Sequence, residues 1–370
     1  MRFLFAAFSL AASSFALVPA GTAQADDPYT VTGVPIDATA SNALEAQTVA
    51  MREGQVDAAR LLIERLTLAE DRMGTDFELE PHMTEEGEMV EGFALDRAII
   101  SELISGLEIR DEQRSATRYL ADIDVSFDRR SVARVLTAYG VPFVESQSRR
   151  TLVLPVLGTG NGFLLWEENP WGNAWREQNF RNSLTPMFVP EDAEARAIVS
   201  ARSALGLDEE SLRQLAVMYD VNRIAILRAQ ERDGIRRFGG YLVSIEATGE
   251  FVVETWGPAT VYGGWRDAAA DFVADRETAW KQQSVVRDFE TTEMRVTVLY
   301  SGLPEWRSLQ AALTRASLVD SAQLDALSRD GARMTVNYRG ALEQLVSELA
   351  ERGATLEEHP GLGWVVLSAR

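Results

Sequence analysis

Alternating apolar and polar positions predict the strands of this chain, and apolar positions spaced three to four residues apart predict its helices. Residues 115–127 alternate most clearly, with Ile123 and Val125 on one face and Asp122 and Asp124 on the other. Taken along the whole chain, the two periodicities divide it into three small mixed modules. They predict an α/β chain of the α+β type, in which helices pack on separate sheets.

The first predicted module spans residues 28–148. A strand at 29–36 precedes a long helix at 42–66, which Ser41 or Asn42 caps at its N-terminus. Later in the same module, Asp128 is the predicted N-cap of a helix that runs through Tyr139, where Gly140 and Pro142 end it.

An acidic loop at residues 70–91 interrupts the first module, and a second helix is predicted after it at 94–107. Carboxylates dominate the loop, which also contains His82. Such a segment is typical of a solvated loop, and a cation site would require its carboxylates to converge on one point.

The central predicted module spans residues 149–287 and opens with an almost wholly apolar strand at 151–157, which suits burial on both faces. A glycine-rich turn at 158–162 follows, and an ordinary turn is favoured there over a phosphate cradle because no basic residue lies in it. The remaining predicted elements are helices at 191–204, 208–219 and 266–286 and strands at 221–228, 237–247 and 251–256.

A tryptophan-rich segment at residues 165–176 is the most unusual local feature of the sequence. Trp166, Trp171, Trp175 and Arg176 are residue types that anchor ligands and protein partners when exposed. Inward folding, in which the indoles hold a long loop to the domain, is favoured over an exposed surface because indoles bury well. We treat these four residues as the candidate site for a ligand or partner, and the sequence predicts no catalytic residue and no metal ligand.

The third predicted module spans residues 288–370 and has the element order βαββαβ of a ferredoxin-like unit. Pro304 begins its first helix, and Asp330-Gly331 is the turn of a hairpin. Its predicted last strand is 364–368. A fold of this kind does not by itself define a function.

The composition and the N-terminal residues exclude several classes of function. Residues 1–25 have the basic start, apolar run and small-residue end of a cleaved signal peptide, with cleavage after Ala25, and predict a periplasmic protein. The net charge of −20 disfavours nucleic acid as a partner, and no later apolar run predicts a transmembrane segment. The chain contains no cysteine and no Gly-Lys-Ser/Thr phosphate loop, so the sequence predicts no cofactor.

The chain resembles the exported bacterial family catalogued as domain of unknown function 2066. The matching segments are residues 29–34, 139–143, 152–156, 165–175 and 329–340, in this order. The resemblance implies an exported protein of undefined biochemical role and carries over no catalytic residue. The acidic loop is an elaboration of this chain.

Three functions are compatible with these patterns. The first is a noncatalytic, exported adaptor or assembly protein that acts on an envelope protein partner. The second is a protein that binds or cleaves cell-wall carbohydrate through the tryptophan-rich segment, with a glycan as its ligand. The third, a metal-dependent hydrolase that uses His82, Asp122 and Asp124, has the weakest support because paired aspartates on a strand are usually a solvated sheet face.

Overall fold

Three β-sheets, each with helices packed on it, and one two-stranded ribbon organise the chain. The structure is a computed structural model that describes residues 27–73, 75, 77, 82–83, 89–90, 95–246, 249–287 and 290–369. The predicted signal peptide and most of the acidic loop lie outside the described residues. The mixed α/β architecture of the α+β type that the sequence predicts is confirmed.

The first sheet is antiparallel, in the order β1-β5-β4, and one of its faces packs on a long helix. Asn42 caps this helix as predicted, because its side chain accepts a hydrogen bond from the amide of Glu45 at 3.0 Å. The elements are β1 (Thr30–Thr39), α1 (Ala43–Leu66), α2 (Ala69–Arg72), β2 (His82–Met83), β3 (Met89–Val90), α3 (Arg97–Leu103), β4 (Ile104–Arg114), β5 (Arg118–Phe127) and α4 (Arg129–Ala138).

One expectation for this region is wrong. The helix predicted at 94–107 ends at Leu103, and the chain continues directly into β4, which pairs with β5. Most of β4 is exposed, so its apolar positions do not alternate and the sequence carries no strand pattern there.

The central sheet has the order β11-β10-β9-β6-β7, and β8 also pairs with β6. The apolar run at 151–157 forms β6, which is buried on both faces as predicted and runs parallel to β9. The elements are β6 (Thr151–Thr159), β7 (Gly162–Leu164), α5 (Pro170–Arg176), β8 (Met187–Phe188), α6 (Ala193–Ile198), α7 (Ala201–Leu205), α8 (Glu209–Tyr219), β9 (Arg223–Arg232), β10 (Ile235–Ile245), β11 (Phe251–Val261) and α9 (Trp265–Ser284).

Two separate apolar cores lie on the two faces of the central sheet. Helices α6, α7 and α8 cover one face, where Leu212 and Leu215 pack against Ile224 and Ile226. Helices α5 and α9 cover the other face. This layering leaves the ends of the sheet, beyond the helices, open to solvent.

The third sheet has the order β13-β14-β12-β16-β15. The unit begins βαββα as predicted, but a hairpin of two strands follows the second helix, and β16 runs parallel to β12. The additional strand is β15. The elements are β12 (Thr291–Leu299), α10 (Leu303–Thr314), β13 (Val319–Leu327), β14 (Gly331–Arg339), α11 (Leu342–Glu351), β15 (Ala354–His359) and β16 (Gly363–Ser368).

Polar contacts join the three regions of the chain. The ammonium of Lys281, on α9, donates to the carbonyl oxygens of Glu64 and Thr67 at 2.6 and 3.3 Å, at the C-terminal end of α1. Glu351, on α11, accepts hydrogen bonds from the side chain of Arg223 and from the backbone amide of Arg149. Trp280, on α9, also belongs to the apolar core of the first region. Among the described residues, no helix has the length and hydropathy needed to cross a membrane.

Candidate functional site

The tryptophans of the candidate segment are held inside the central region. Trp171 has no exposed surface, and its indole N–H donates to the carbonyl oxygen of Leu227 at 3.0 Å. Trp175 is 3% exposed, and its ring meets that of Trp171 edge to face. Trp166 is half-buried and donates to the carbonyl oxygen of Val199 at 2.7 Å. The indoles therefore attach the segment to the core and do not form an exposed aromatic platform.

Arg176 lies in the last turn of α5 and is half-buried. It donates to the side-chain oxygen of Asn173 at 3.2 Å, and its guanidinium covers Gly172. Its described polar contact is thus local to its own helix. Trp171, Trp175 and Arg176 lie together on α5, whereas Trp166 packs in the core on the opposite face of the sheet, so the four residues do not form one open site.

The residues of the metal-hydrolase hypothesis do not form a site among the described side chains. Asp124 is buried and accepts hydrogen bonds from the amide of Gly33 at 2.8 Å and from Arg110. Its carboxylate therefore serves to hold the bulge of β1 against β5. Within the described ranges, no group of three or more His, Asp or Glu side chains is arranged to hold a metal ion. The side chain of His82 lies outside the described residues.

A groove at one end of the central sheet is the best candidate site. It has a volume of about 450 Å³ and lies where α7 meets strands β9, β10 and β11. Arg202 on α7, Arg228 on β9 and Arg237 on β10 line it together with aromatic side chains. We call it the arginine groove and define it by Phe163, Arg202, Arg228, Arg237 and Tyr241.

Strand register brings the arginines to one face. Arg228 lies opposite Gly239 and Arg237 opposite Gln230 in the antiparallel pair β9–β10. Arg228 has the same parity on β9 as Ile226, whose side chain faces α6–α8, so it projects from that face beyond the core. Two strands thus place two guanidinium groups beside the helix that carries the third.

Two glycines lie at the base of the arginine groove, where neighbouring strands approach closely. A Cβ at Gly240 would lie 1.9 Å from the carbonyl oxygen of Ile226, and one at Gly239 would lie 2.9 Å from that of Trp256. No larger residue fits these positions without separating the strands. The glycines therefore allow the backbones of β9, β10 and β11 to approach closely beside the groove.

The charge of the arginine groove is positive and uncompensated. Arg202, Arg228 and Arg237 are exposed, and no carboxylate is among the residues that line the groove. Arg228 stacks over the ring of Phe163 at 5.1 Å and donates to the side chain of Gln230 at 3.3 Å. In the described part of the chain, Arg202 and Arg237 make no ion pair. Guanidinium groups in this state bind carboxylates and phosphates through paired hydrogen bonds.

The arginine groove was not found from the sequence. Its three arginines come from three elements, and arginine is the ordinary basic residue of this chain, in which Lys281 is the only lysine. The available signal is the glycine pair 239–240 near the start of the strand predicted at 237–247, because glycine inside a strand marks a close approach of backbones.

The chain matches no known protein-family model, no curated protein and no solved structure. Membership of the family that the sequence resembles therefore stays a prediction.

Proposed function

We propose that this protein is a noncatalytic, exported adaptor of the cell envelope that binds an acidic segment of a partner protein in its arginine groove. The observation that carries the proposal is the convergence of Arg202, Arg228 and Arg237 on one concave surface without a carboxylate among its lining residues. The proposal assigns the chain no catalytic residue and no cofactor.

A short acidic peptide suits the arginine groove better than a long polyanion does. The net charge of −20 repels a nucleic acid or any extended anionic polymer at long range. A short segment with a few carboxylates can reach the guanidinium groups while the rest of its chain stays in solvent. The volume of about 450 Å³ is within the usual range of binding clefts, and the aromatic side chains supply apolar contact.

Sheet edges are less suited than the arginine groove to capture a partner. The four longest edge strands of the described chain, β1, β4, β11 and β13, each pair with a register irregularity. Such irregularities disturb the row of unpaired backbone groups that strand addition requires. The groove is therefore the surface on which we place the partner.

Export belongs to the proposal and is supported by the sequence at residues 1–25, which has the pattern of a cleaved signal peptide. A periplasmic location would give the arginine groove access to envelope proteins. The alternative function, carbohydrate binding through the tryptophan-rich segment, lacks its surface because Trp171 and Trp175 are buried.

Charge reversal tests the proposal. The double variant Arg202→Glu/Arg237→Glu should lose most binding to a synthetic peptide of alternating glutamate and alanine, because like charges then face each other. In cells, a photo-crosslinking amino acid in place of Thr255, on the rim of the groove, should capture an envelope protein. The crosslinked product should disappear in the variant Arg202→Glu/Arg237→Glu.

The matched control is Arg307→Glu/Arg333→Glu, which changes the net charge equally at exposed sites on α10 and β14. This control should keep both peptide binding and the crosslink. Equal binding by the two double variants would contradict the proposal, since the attraction would then come from overall charge and not from the arginine groove.

A further inference from the structure

A second cavity, the polar cleft, lies between the central sheet and the C-terminal half of α9. It has a volume of about 460 Å³. It opens beside the N-terminal ends of the parallel strands β6 and β9, whereas the arginine groove lies past Arg228, toward the other end of β9. Its walls include Thr151 on β6, Ser244 on β10 and Gln283 on α9.

Hydroxyl and amide groups dominate the polar lining of this cleft. Its hydroxyls come from Ser148, Thr151, Thr185 and Ser244, and Gln283 adds a carboxamide. Thr151 is only 6% exposed, and its hydroxyl makes no described side-chain hydrogen bond; the hydroxyl is not among the described buried polar atoms without a partner, so solvent in the cleft reaches it. A hydroxyl on the wall of a cleft can exchange its water for a hydroxyl of a ligand, because the two hydrogen bonds are of similar strength.

The charged groups around the polar cleft are already paired within the protein. Arg223 forms an ion pair with Glu351 of α11, and Arg276 forms ion pairs with Asp275 and, at 3.8 Å, with Glu254. The cleft therefore offers no net charge to a ligand, in contrast to the arginine groove. An anionic or cationic ligand would have to displace one of these pairs.

The ligand that fits such a lining carries groups that both donate and accept hydrogen bonds and has no charge. Hydroxyls and carboxamides of the protein also do both, so they match a polyhydroxylated molecule in either direction. Apolar surface from Met187, Leu242 and Trp280 completes the lining and suits the C–H faces of a sugar ring. The volume is large enough for a small ligand of one or two rings.

We infer that the polar cleft is a binding site for a neutral saccharide, held by the hydroxyls of Thr151, Thr185 and Ser244. This site is separate from the arginine groove and does not depend on the adaptor function. Because Glu351 and Arg223 meet at its wall, a bound saccharide would also lie against the contact between the central and third regions.

Titration of the whole mature chain tests this inference. The probes are maltose, trehalose and N,N′-diacetylchitobiose, and digalacturonate is the charged comparison. Saturation-transfer NMR and calorimetry measure the binding of each. At least one neutral disaccharide should bind saturably at millimolar concentration, and digalacturonate should bind more weakly. Thr151→Val keeps the side-chain shape and removes the hydroxyl, and it should weaken binding about three- to tenfold.

Ser244→Ala is the second variant, in case the buried valine disturbs β6, and Thr260→Val on the exposed part of β11 is the matched control. Ser244→Ala should weaken binding and Thr260→Val should not. The inference is overturned if none of the three disaccharides saturates the protein, if digalacturonate binds best, or if both cleft variants bind like the unaltered chain. The groove variant Arg202→Glu/Arg237→Glu should keep saccharide binding, so the two proposals fail separately.

Discussion

Trp171 is among the most completely enclosed large side chains of the chain. The ring centroids of Trp175, Phe238 and Trp265 lie 5.4–5.7 Å from its own, and its N–H is bonded to the backbone of β9. Aromatic contacts of this kind add to the free energy that burial alone supplies. At the scale of the residue, Trp171 thus links α5, α9 and the sheet.

Removal of this indole should therefore reduce stability strongly. Trp171→Ala should lower the free energy of unfolding by about 3–5 kcal/mol, because it leaves a cavity and an unpaired carbonyl at Leu227. Tyr262 is 98% exposed, and Tyr262→Ala should change the free energy of unfolding by less than about 0.5 kcal/mol. Urea denaturation measures both, and a loss below about 1 kcal/mol at Trp171 would contradict this account.

A second residue-scale prediction concerns the pair Asp192–Tyr219. The hydroxyl of Tyr219 donates to the carboxylate of Asp192, and this bond, more than the helix amide of Ala195, holds the pKa of Asp192 below its usual range. Tyr219→Phe should raise the pKa of Asp192 toward its ordinary value. A carbon-detected NMR titration of the carboxyl group would show the shift.

The sign of the pH dependence follows from linkage. A carboxyl whose pKa is lowered by folding contributes stability above its unfolded pKa, and this contribution is lost as the pH falls through the folded pKa. Tyr219→Phe should therefore flatten the loss of stability in acid. An unchanged Asp192 titration in the variant would show that the hydroxyl does not act on this carboxyl.

The element that gives the arginine groove its shape is strand β10. Gly239 and Gly240 lie where β10 passes between β9 and β11, and the pairing with β11 shifts register at this point. The shift and the missing side chains act together, since both bring neighbouring backbones close to the groove floor. The shape of the site is thus a property of three strands and not of one loop.

Gly240→Ala tests the role of this element. Its methyl group would meet the carbonyl oxygen of Ile226, so we expect a loss of about 1–3 kcal/mol and weaker binding of the acidic peptide. The control is Gly160→Ala, because a Cβ at Gly160 meets nothing within 4 Å. If the two variants had equal stability by urea denaturation, close strand approach would not explain Gly240.

At the scale of the whole molecule, a small number of long-range polar contacts join the three sheets. Arg339 donates to both carboxylate oxygens of Glu145 at 2.9 and 3.3 Å, and burial raises the pKa of Glu145 above its ordinary value. The carboxylate of Glu351, on α11, accepts hydrogen bonds from the backbone amide of Arg149 and from the guanidinium of Arg223. The third sheet is therefore held to the others chiefly through α11 and β14.

Loss of the carboxylate at Glu351 should loosen that attachment. Glu351→Ala should lower the free energy of unfolding by about 1–2 kcal/mol, less than for a fully buried pair because the side chain of Arg223 is 34% exposed. Calorimetry should then show the transition broaden as the third region unfolds earlier. Glu357→Ala, at an exposed position on β15, serves as the control and should leave the transition unchanged.

Local signals explain which elements the sequence predicted correctly. Asn42 and Asp128 cap α1 and α4 because each side chain bonds to an amide in the first turn, a contact that needs no distant partner. The strand β6 was evident because burial on both faces demands a continuous apolar run. The start of the first helix in the third module is also predicted correctly, because Pro304 lies in the first turn of α10.

Tertiary contacts explain what the sequence could not predict. The strand β4 is mostly exposed, and two of the six residues of β15 are glutamates, so neither strand has a clear hydrophobic pattern. Pairing with β5 and β16 forms them. The arginine groove depends on the register of Arg228 against Gly239, and nothing local to either residue specifies that register. The sequence favours inward folding of the indoles, but which core each indole enters depends on tertiary contacts.

The contact of Lys281 with the end of α1 makes the chain open to a simple chemical measurement. Lys281 carries the only side-chain amine, and two backbone carbonyls hold it between the first and central regions. An amine-directed acylating reagent can modify this nitrogen only in competition with those carbonyls. The rate of acylation would therefore report how often the contact between Lys281 and the end of α1 breaks. The terminal amino group supplies an internal reference for the same reagent.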